Sequence, residues 1–285
     1  MTCIDQYTNP KPTNNMSITV LGSRGSMPVS SPETARYGGN TSCYLIETDS
    51  EAIIIDAGTG IMRLPDIGDR HLSLLITHTH IDHILGFPIL LSALKGKEIS
   101  IYGVTRDGLT VKQQLERYVS TPLWPVTIDK YGDNIDFHEI AEAATFAIGE
   151  VDVTTMPSNH PGGATIYKLT NNGVSVTVAT DFEHEIAESD QDPLYSIADF
   201  AAGSRMILYD SQYTPEEYKK CRGYGHSTYE KAIELQKITN VNEILLVHHA
   251  PNHTDEFLES LQRQIDALEL GAHIIFASEG YTFLL

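Results

Sequence analysis

Six consecutive residues, His78-Thr79-His80-Ile81-Asp82-His83, carry three imidazoles and a carboxylate. They lie between two apolar stretches, LSLLI at 72–76 and ILGFPILL at 84–91. A solvated histidine run has no reason to be embedded in this way, so the cluster belongs to the rim of a core. The left flank reads as a strand and the right flank as an apolar helical pattern. Alternate residues of an extended segment share a face, which lets His78 and His80 project together. Asp82 and His83 then turn toward a second position at the start of the helix. Imidazole and carboxylate are the ligands that zinc and related ions take. Two pairs of them suit two ions better than one.

The rest of the chain alternates between strand and helix patterns. Short runs rich in Val and Ile recur at 17–22, 42–47, 52–56, 72–77, 98–103, 151–156, 165–170, 174–180, 205–210, 243–249 and 273–277. Bounded by Gly, Asn or Asp, such runs are strand signals. Asn171-Asn172-Gly173, between two of them, predicts a tight hairpin. Helical patterns cover 81–94, 107–119, 227–238 and 254–269. Ser227 and Glu230 have the spacing of a capping box with Ser227 as N-cap. Phe257, Leu258, Leu261, Ile265 and Leu268 recur at helical intervals. The expected class is α+β, with two mixed sheets and helices outside them. No linker divides the chain, so residues 17–285 are expected to form one domain. Residues 1–16, polar with two prolines and three asparagines, read as a flexible extension. Residues 104–135 are the least regular and suggest an insertion or lid.

Further ligand-type residues follow apolar strands: His160 after VDVTTMPSN, Asp181 after VSVTVAT, and His248 at the end of EILLV. Each alone is weak; together with the cluster they can complete two metal sites. Composition narrows what such a centre serves. With 19 Lys and Arg against 38 Asp and Glu, the formal charge is −19. Long nucleic acids bind through basic patches and counterion release, so a long polyanion is disfavoured as partner. A small anion is less affected, because bound cations dominate the local field. Cys3, Cys43 and Cys221 are odd in number, with no CxxC pair, which fits a reducing compartment. No apolar run approaches the ~18 residues of a membrane span, and no signal-peptide pattern is present. A cytoplasmic protein is the expectation, and a homodimer is compatible with it.

HxHxDH at 78–83, the later His160, Asp181 and the strand-end His248 resemble the metallo-β-lactamase superfamily, over residues 17–285. The resemblance implies an αββα sandwich. It also implies that His78, His80 and His160 hold one divalent ion, Asp82, His83 and His248 the other, and Asp181 both. His248 and His249 are adjacent; His248 is preferred, because its His-x-x-Pro spacing to Pro251 matches related phosphodiesterases. Zn²⁺ is the expected ion, with Mn²⁺ and Fe²⁺ compatible.

Asp56-Ala57-Gly58-Thr59-Gly60 looks like the Asp-x-Gly motif that supports the site in this superfamily. Asp210, with Gly225-His226-Ser227-Thr228, is similar to the ribonuclease Z branch, where an acidic residue and this His assist phosphodiester cleavage. That branch carries Glu where this chain has the shorter Asp210. The residues assigned to catalysis are thus Asp82, His226 and Asp210, with His226 as proton donor. The first loops, around Ser23, Arg24 and Asn40, resemble those of ribonuclease Z-like and cyclic-phosphate phosphodiesterases and are read as shaping residues. The expected activity is hydrolysis of a small phosphodiester such as a cyclic nucleotide. The alternatives are tRNA 3′ processing, disfavoured by the acidic balance and the lack of a basic arm, and a non-catalytic metal-binding regulator. His184 and His253 stand as rim candidates.

Overall fold

The computed structural model describes residues 16–185 and 192–285. Strands β1 Ser17–Gly22, β2 Cys43–Glu47, β3 Glu51–Ile55, β4 His71–Leu75, β5 Ile99–Val104 and β6 Ile135–Ile140 lie side by side in chain order. A second sheet takes β7 Thr145–Ile148, β8 Val151–Ser158, β9 Ala164–Asn171, β10 Val174–Ala179, β11 Met206–Asp210, β12 Glu243–Val247 and β13 His273–Phe276, again in order. The last strand, β14 Thr282–Leu284, returns to pair with β1. Each sheet is mixed. In the first, β3 to β6 are parallel; in the second, β10 to β13 are.

The strand sequences dictate this layering. A parallel strand covered on both faces reads as a continuous apolar run rather than an alternation. Ile53 and Ile55 of β3 face the opposing sheet, packed with Leu208 and Val247. Ala52 and Ile54 face the other way, into a cluster with Phe87, Leu90 and Leu115. In β11, Met206 and Leu208 join the core between the sheets, whereas Ile207 and Tyr209 pack with Leu194, Ile233 and Leu258. Each fully buried aliphatic side chain is worth ~1.5–3 kcal/mol, which makes the two-sided runs the main stabilising element.

Helices α1 Ile81–Ile84, α2 Phe87–Ala93 and α3 Val111–Tyr118 supply the outer cover of the first sheet. Among α4 Pro193–Ala201, α5 Pro215–Cys221, α6 Tyr229–Thr239 and α7 Asp255–Asp266, the pairs α4/α6 and α7/β13 pack on the second. The result is the expected αββα sandwich. No described helix is long and apolar enough to cross a membrane.

Local differences from the sequence reading have physical causes. The single pattern at 81–94 is two helices, α1 and α2, because Gly86 is drawn against the Ala57-Gly58 turn. Its amide donates to Ala57 O at 2.8 Å, and a Cβ there would lie 2.3 Å from Gly58 O. Thr228, not Ser227, caps α6, with its side chain accepting from Lys231 N; Ser227 Oγ is engaged with His184 and Tyr209 at 2.8 Å each. Thr110 and Gln113 form a capping box, so α3 starts at Val111. The hairpin at Asn172-Gly173 has both residues at positive φ, 50° and 80°, as a type I′ turn requires. Residues 1–15 of the extension lie outside the described residues; Met16 is buried in the inter-sheet core, and its carbonyl accepts from Leu285 N at 3.0 Å.

Candidate metal centre

The parallel strands of both sheets deliver polar residues to one edge of the sandwich. In the second sheet Ala179 pairs with Tyr209, and Tyr209 with Leu246. The strands therefore end level, and Asp181, Asp210 and His248 follow at their tips. In the first sheet Ile55 pairs with Leu75, which sets Asp56 beside the segment running to His78 and His80. Crevices at the carboxyl ends of parallel strands are the usual ligand sites of such sheets. Three of these tip residues have left-handed backbones: Asp56 (φ 59°), Asp181 (φ 55°) and His248 (φ 64°). A non-glycine residue there costs ~1–3 kcal/mol, and such strain clusters at functional sites.

The side chains converge. His83 Nε2 lies 3.1 Å from Asp181 Oδ2 and 3.4 Å from Asp82 Oδ2. His248 lies 3.3 Å from Asp181 Oδ2 through Nδ1 and 3.5 Å from Asp82 Oδ2 through Nε2. His160 Nε2 is 3.2 Å from His80 Nδ1, and His78 Nε2 is 3.9 Å from Asp181 Oδ1. Potential ligand atoms come within 4.8 Å of one another in the groups His78/His80/His160, Asp82/His83/His248 and His78/His83/Asp181. A fourth group joins Asp210 and His226 to Asp181 and His248.

The donor set fits divalent cations. Buried His78 Nε2, His83 Nε2, His248 Nε2 and Asp181 Oδ2 have no hydrogen-bond partner. An unsatisfied buried polar atom costs ~1–3 kcal/mol, and four of them within overlapping His and Asp clusters are what ions bound there would satisfy. Burial alone would raise the pKa of Asp82 and Asp181. His83 and His248 prevail, and hold both carboxyls below the usual carboxylate range. Burial lowers the pKa of His78, His160 and His248 and favours the neutral imidazole that coordinates metals.

A second layer orients this set. Asp56 Oδ2 accepts from His83 Nδ1 at 2.6 Å and from Thr77 Oγ1 at 2.8 Å, and Oδ1 from Thr77 N at 2.8 Å. This turns His83 Nε2 toward the centre. Asp82 Oδ2 accepts from Ser26 N at 2.7 Å. Asp210, fully buried, accepts through Oδ2 from His226 Nδ1 at 2.8 Å and Asp181 N at 2.9 Å. Its Oδ1 accepts from Ser227 N and Gln212 N. The aspartate therefore reaches His226 despite its short side chain. Burial would lower the His226 pKa, but Asp210 and then Asp181 raise it.

Other predicted residues fall elsewhere. His249 donates from Nε2 to Ala277 O at 2.9 Å and points away from the cluster that holds His248. His184 binds Ser227, and His253 pairs with Glu217 at 3.0 Å; neither faces the cluster. Arg24 is fully buried and donates to Gly38 O, Ala250 O and His253 O. Asn40 is held by Glu279. Both are loop-shaping. The sequence reading missed Glu183, a buried carboxylate that accepts from Tyr218 OH, Gly223 N and Gly225 N at 2.7–2.9 Å. It ties down the loop that carries His226. Its only signal is an acidic residue two places after the strand-end Asp181.

A family model described as a beta-lactamase superfamily domain matches residues 51–249. Among curated proteins, the chain is similar to a ribonuclease Z of Haloferax volcanii, 24% identical with 82% of this chain and 84% of the relative aligned. Among solved structures it is similar to the metallo-beta-lactamase fold protein YhfI from Bacillus subtilis, with TM-score 0.71, 16% identity, and 95% and 99% of the two chains covered. It is also similar to a diphosphatase from the PhnP family, with TM-score 0.64, 17% identity, and 94% and 96% covered.

Proposed function

Because the chain belongs to the beta-lactamase superfamily domain family, we propose that it is a dinuclear metal-dependent phosphodiesterase acting on a small diester such as a cyclic nucleotide. His78, His80 and His160 would hold one ion, Asp82, His83 and His248 the other, and Asp181 both. Bound there, divalent cations supply Lewis acidity to a phosphoryl group and a nucleophile from water near neutral pH. With only two carboxylates among seven ligands, the loaded centre keeps a net positive charge. That favours an anionic diester inside a chain of charge −19.

The observation that carries the reading is the His226–Asp210 pair at 2.8 Å beside the cluster. Asp210 accepts on the Nδ1 side, so His226 presents Nε2 to the substrate. Four hydrogen bonds hold Asp210 in place. An imidazole so fixed can give a proton to the leaving alkoxide, which would otherwise depart as a strong base. A hydrolase of thioesters, whose thiolate departs as a weaker base than an alkoxide, has less use for this pair.

Turnover of bis(p-nitrophenyl) phosphate by protein loaded with Zn²⁺, Mn²⁺ or Fe²⁺ tests the reading; absence of turnover with all three removes it. Elemental analysis of protein purified without added metal identifies the ion.

A second reading, tRNA 3′ processing, is favoured by the similarity to ribonuclease Z of Haloferax volcanii. The charge of −19 weighs against a long polyanion. A gel assay with precursor tRNA separates the two, and cleavage at the 3′ trailer would displace the small-substrate reading.

A further inference from the structure

Beside His78 and His80 the rim opens into a cavity of about 380 Å³, within the range of ~300–1,000 Å³ usual for small-molecule sites. Its outer wall is the connection between β5 and β6, and that connection is fastened down. Gln114 Nε2 donates to Val104 O and Leu109 O at 2.9 Å each. Thr79 Oγ1, next to both histidines, donates to Gln114 Oε1 at 3.3 Å. Tyr118 OH donates to Leu85 O at 3.0 Å. Helix α3 therefore keeps a fixed place beside the metal centre.

Among the described residues two guanidinium groups line the cavity, against Asp107 as the only carboxylate, in a chain with twice as many acids as bases. Arg106 is half-buried; it donates to Thr165 Oγ1 at 2.9 Å and lies 3.3 Å from the exposed Glu142. Gly163, at φ 78°, makes room for it: a Cβ there would lie 2.3 Å from Arg106 Nη1. Arg117, in the last turn of α3, is exposed, and among the described residues no carboxylate pairs with it. Every other arginine outside the core has such a partner. Tyr118 and the exposed Leu123 add apolar surface to the same lining.

We propose that this cavity is a subsite for a second anionic group of the substrate, a terminal phosphate held by Arg117 with Arg106 beside it. The proposal rests on the phosphodiesterase reading and names its substrate class, a diester that carries a further phosphate beyond the bond that is cut. A guanidinium presents paired N–H donors that match phosphate oxygens, and an uncompensated one keeps its full charge for a ligand.

The test uses thymidine 5′-(p-nitrophenyl phosphate) with and without a 3′-phosphate, two diesters with the same scissile bond. The wild-type, metal-loaded protein should show kcat/KM about tenfold higher for the 3′-phosphorylated form, through KM, as one charge-assisted contact at a part-exposed site provides. Arg117→Ala should bring that ratio to about one, and Arg117→Lys should restore part of it. A wild-type ratio of one, or a ratio that survives Arg117→Ala, overturns the subsite. Calorimetric binding of thymidine 3′,5′-bisphosphate against thymidine 5′-monophosphate gives a readout independent of turnover. If neither diester is hydrolysed, the phosphodiesterase reading falls, and equal affinity for the two nucleotides then overturns the subsite as well.

Discussion

The carbonyl of Gly225 accepts a hydrogen bond from His160 Nδ1 at 2.9 Å, so the residue before the proposed proton donor orients a proposed metal ligand from the loop between β8 and β9. Gly225 has φ 86°, and a Cβ on it would lie 2.1 Å from His160 Nδ1. Gly225→Ala therefore displaces either His160 or the loop bearing His226. A shift near 1 Å at a reacting centre costs ~10²-fold. Turnover should fall by about that factor, with weakened metal retention, while circular dichroism stays unchanged.

His226→Ala should lower turnover of a phosphodiester ~10²–10⁴-fold, the usual value of a general acid, with metal content intact. Elemental analysis decides the role. Loss of an ion from the variant would make His226 a ligand, in keeping with its place beside Asp181 and His248.

Asp56→Asn would set an amide where a carboxylate accepts from His83 Nδ1 and Thr77. A donor then faces either His83 Nδ1 or Thr77 N, and the hold that aims His83 Nε2 at the centre is weakened. Metal affinity should weaken ~10–100-fold, as read by competition with a chromogenic chelator. Unchanged affinity would remove Asp56 from the support of the site.

Removal of metal should lower thermal stability, because four buried ligand atoms lose the partner proposed for them. At a hundredfold excess over Kd an ion contributes ~2.7 kcal/mol, and each kcal/mol shifts Tm by ~2–4 °C in larger domains. Chelation should thus lower Tm by about 5–10 °C, with recovery when Zn²⁺ is returned. An unchanged Tm would count against a filled centre.

His253 supplies a pH dependence away from the cluster. Its burial lowers its pKa, and Glu217 opposes this only in part. The unfolded chain takes up a proton near pH 6.5, and the folded chain resists it. Stability is then full above about 6.5 and is lost as pH falls toward the depressed folded value. His253→Gln keeps a donor for Glu217 and removes the titration. Denaturation curves between pH 6.5 and 5 should flatten by up to ~1.4 kcal/mol per pH unit. A slope equal to wild type would show that this histidine titrates normally.

Asp181, Asp210 and His248 were legible because each ends or follows a strand that is apolar on both sides, and such strands announce themselves by composition alone. His78, His80 and His83 were legible from their close spacing. The hairpin at Asn172-Gly173 was legible for a similar reason, since its turn type admits few residues. What escaped depends on partners distant in sequence. β6 has an alternating, half-exposed pattern that only its pairing with β5 makes a strand. The break at Gly86 follows from a close approach to Gly58, invisible in the local pattern. Ser227 looked like a cap because its spacing to Glu230 was right, but a hydrogen bond to His184 from another loop took the hydroxyl. Glu183 had no pattern to betray it; its importance lies in three donors contributed by residues 218–225.

The level tips of β10, β11 and β12 have a consequence for how this centre can change. Their register is counted from the far end of the sheet, where the hairpin at 172–173 opens β10. One residue advances a strand by ~3.3 Å and reverses its side chain. Deleting a residue inside β11 would withdraw Asp210 by one step and turn its successors over, stranding Asp181 N and His226 together. Insertions beyond the tips would leave the count untouched. The strands behave as a ruler whose graduations are fixed, while the loops past its edge are free to vary in length and to fit new substrates.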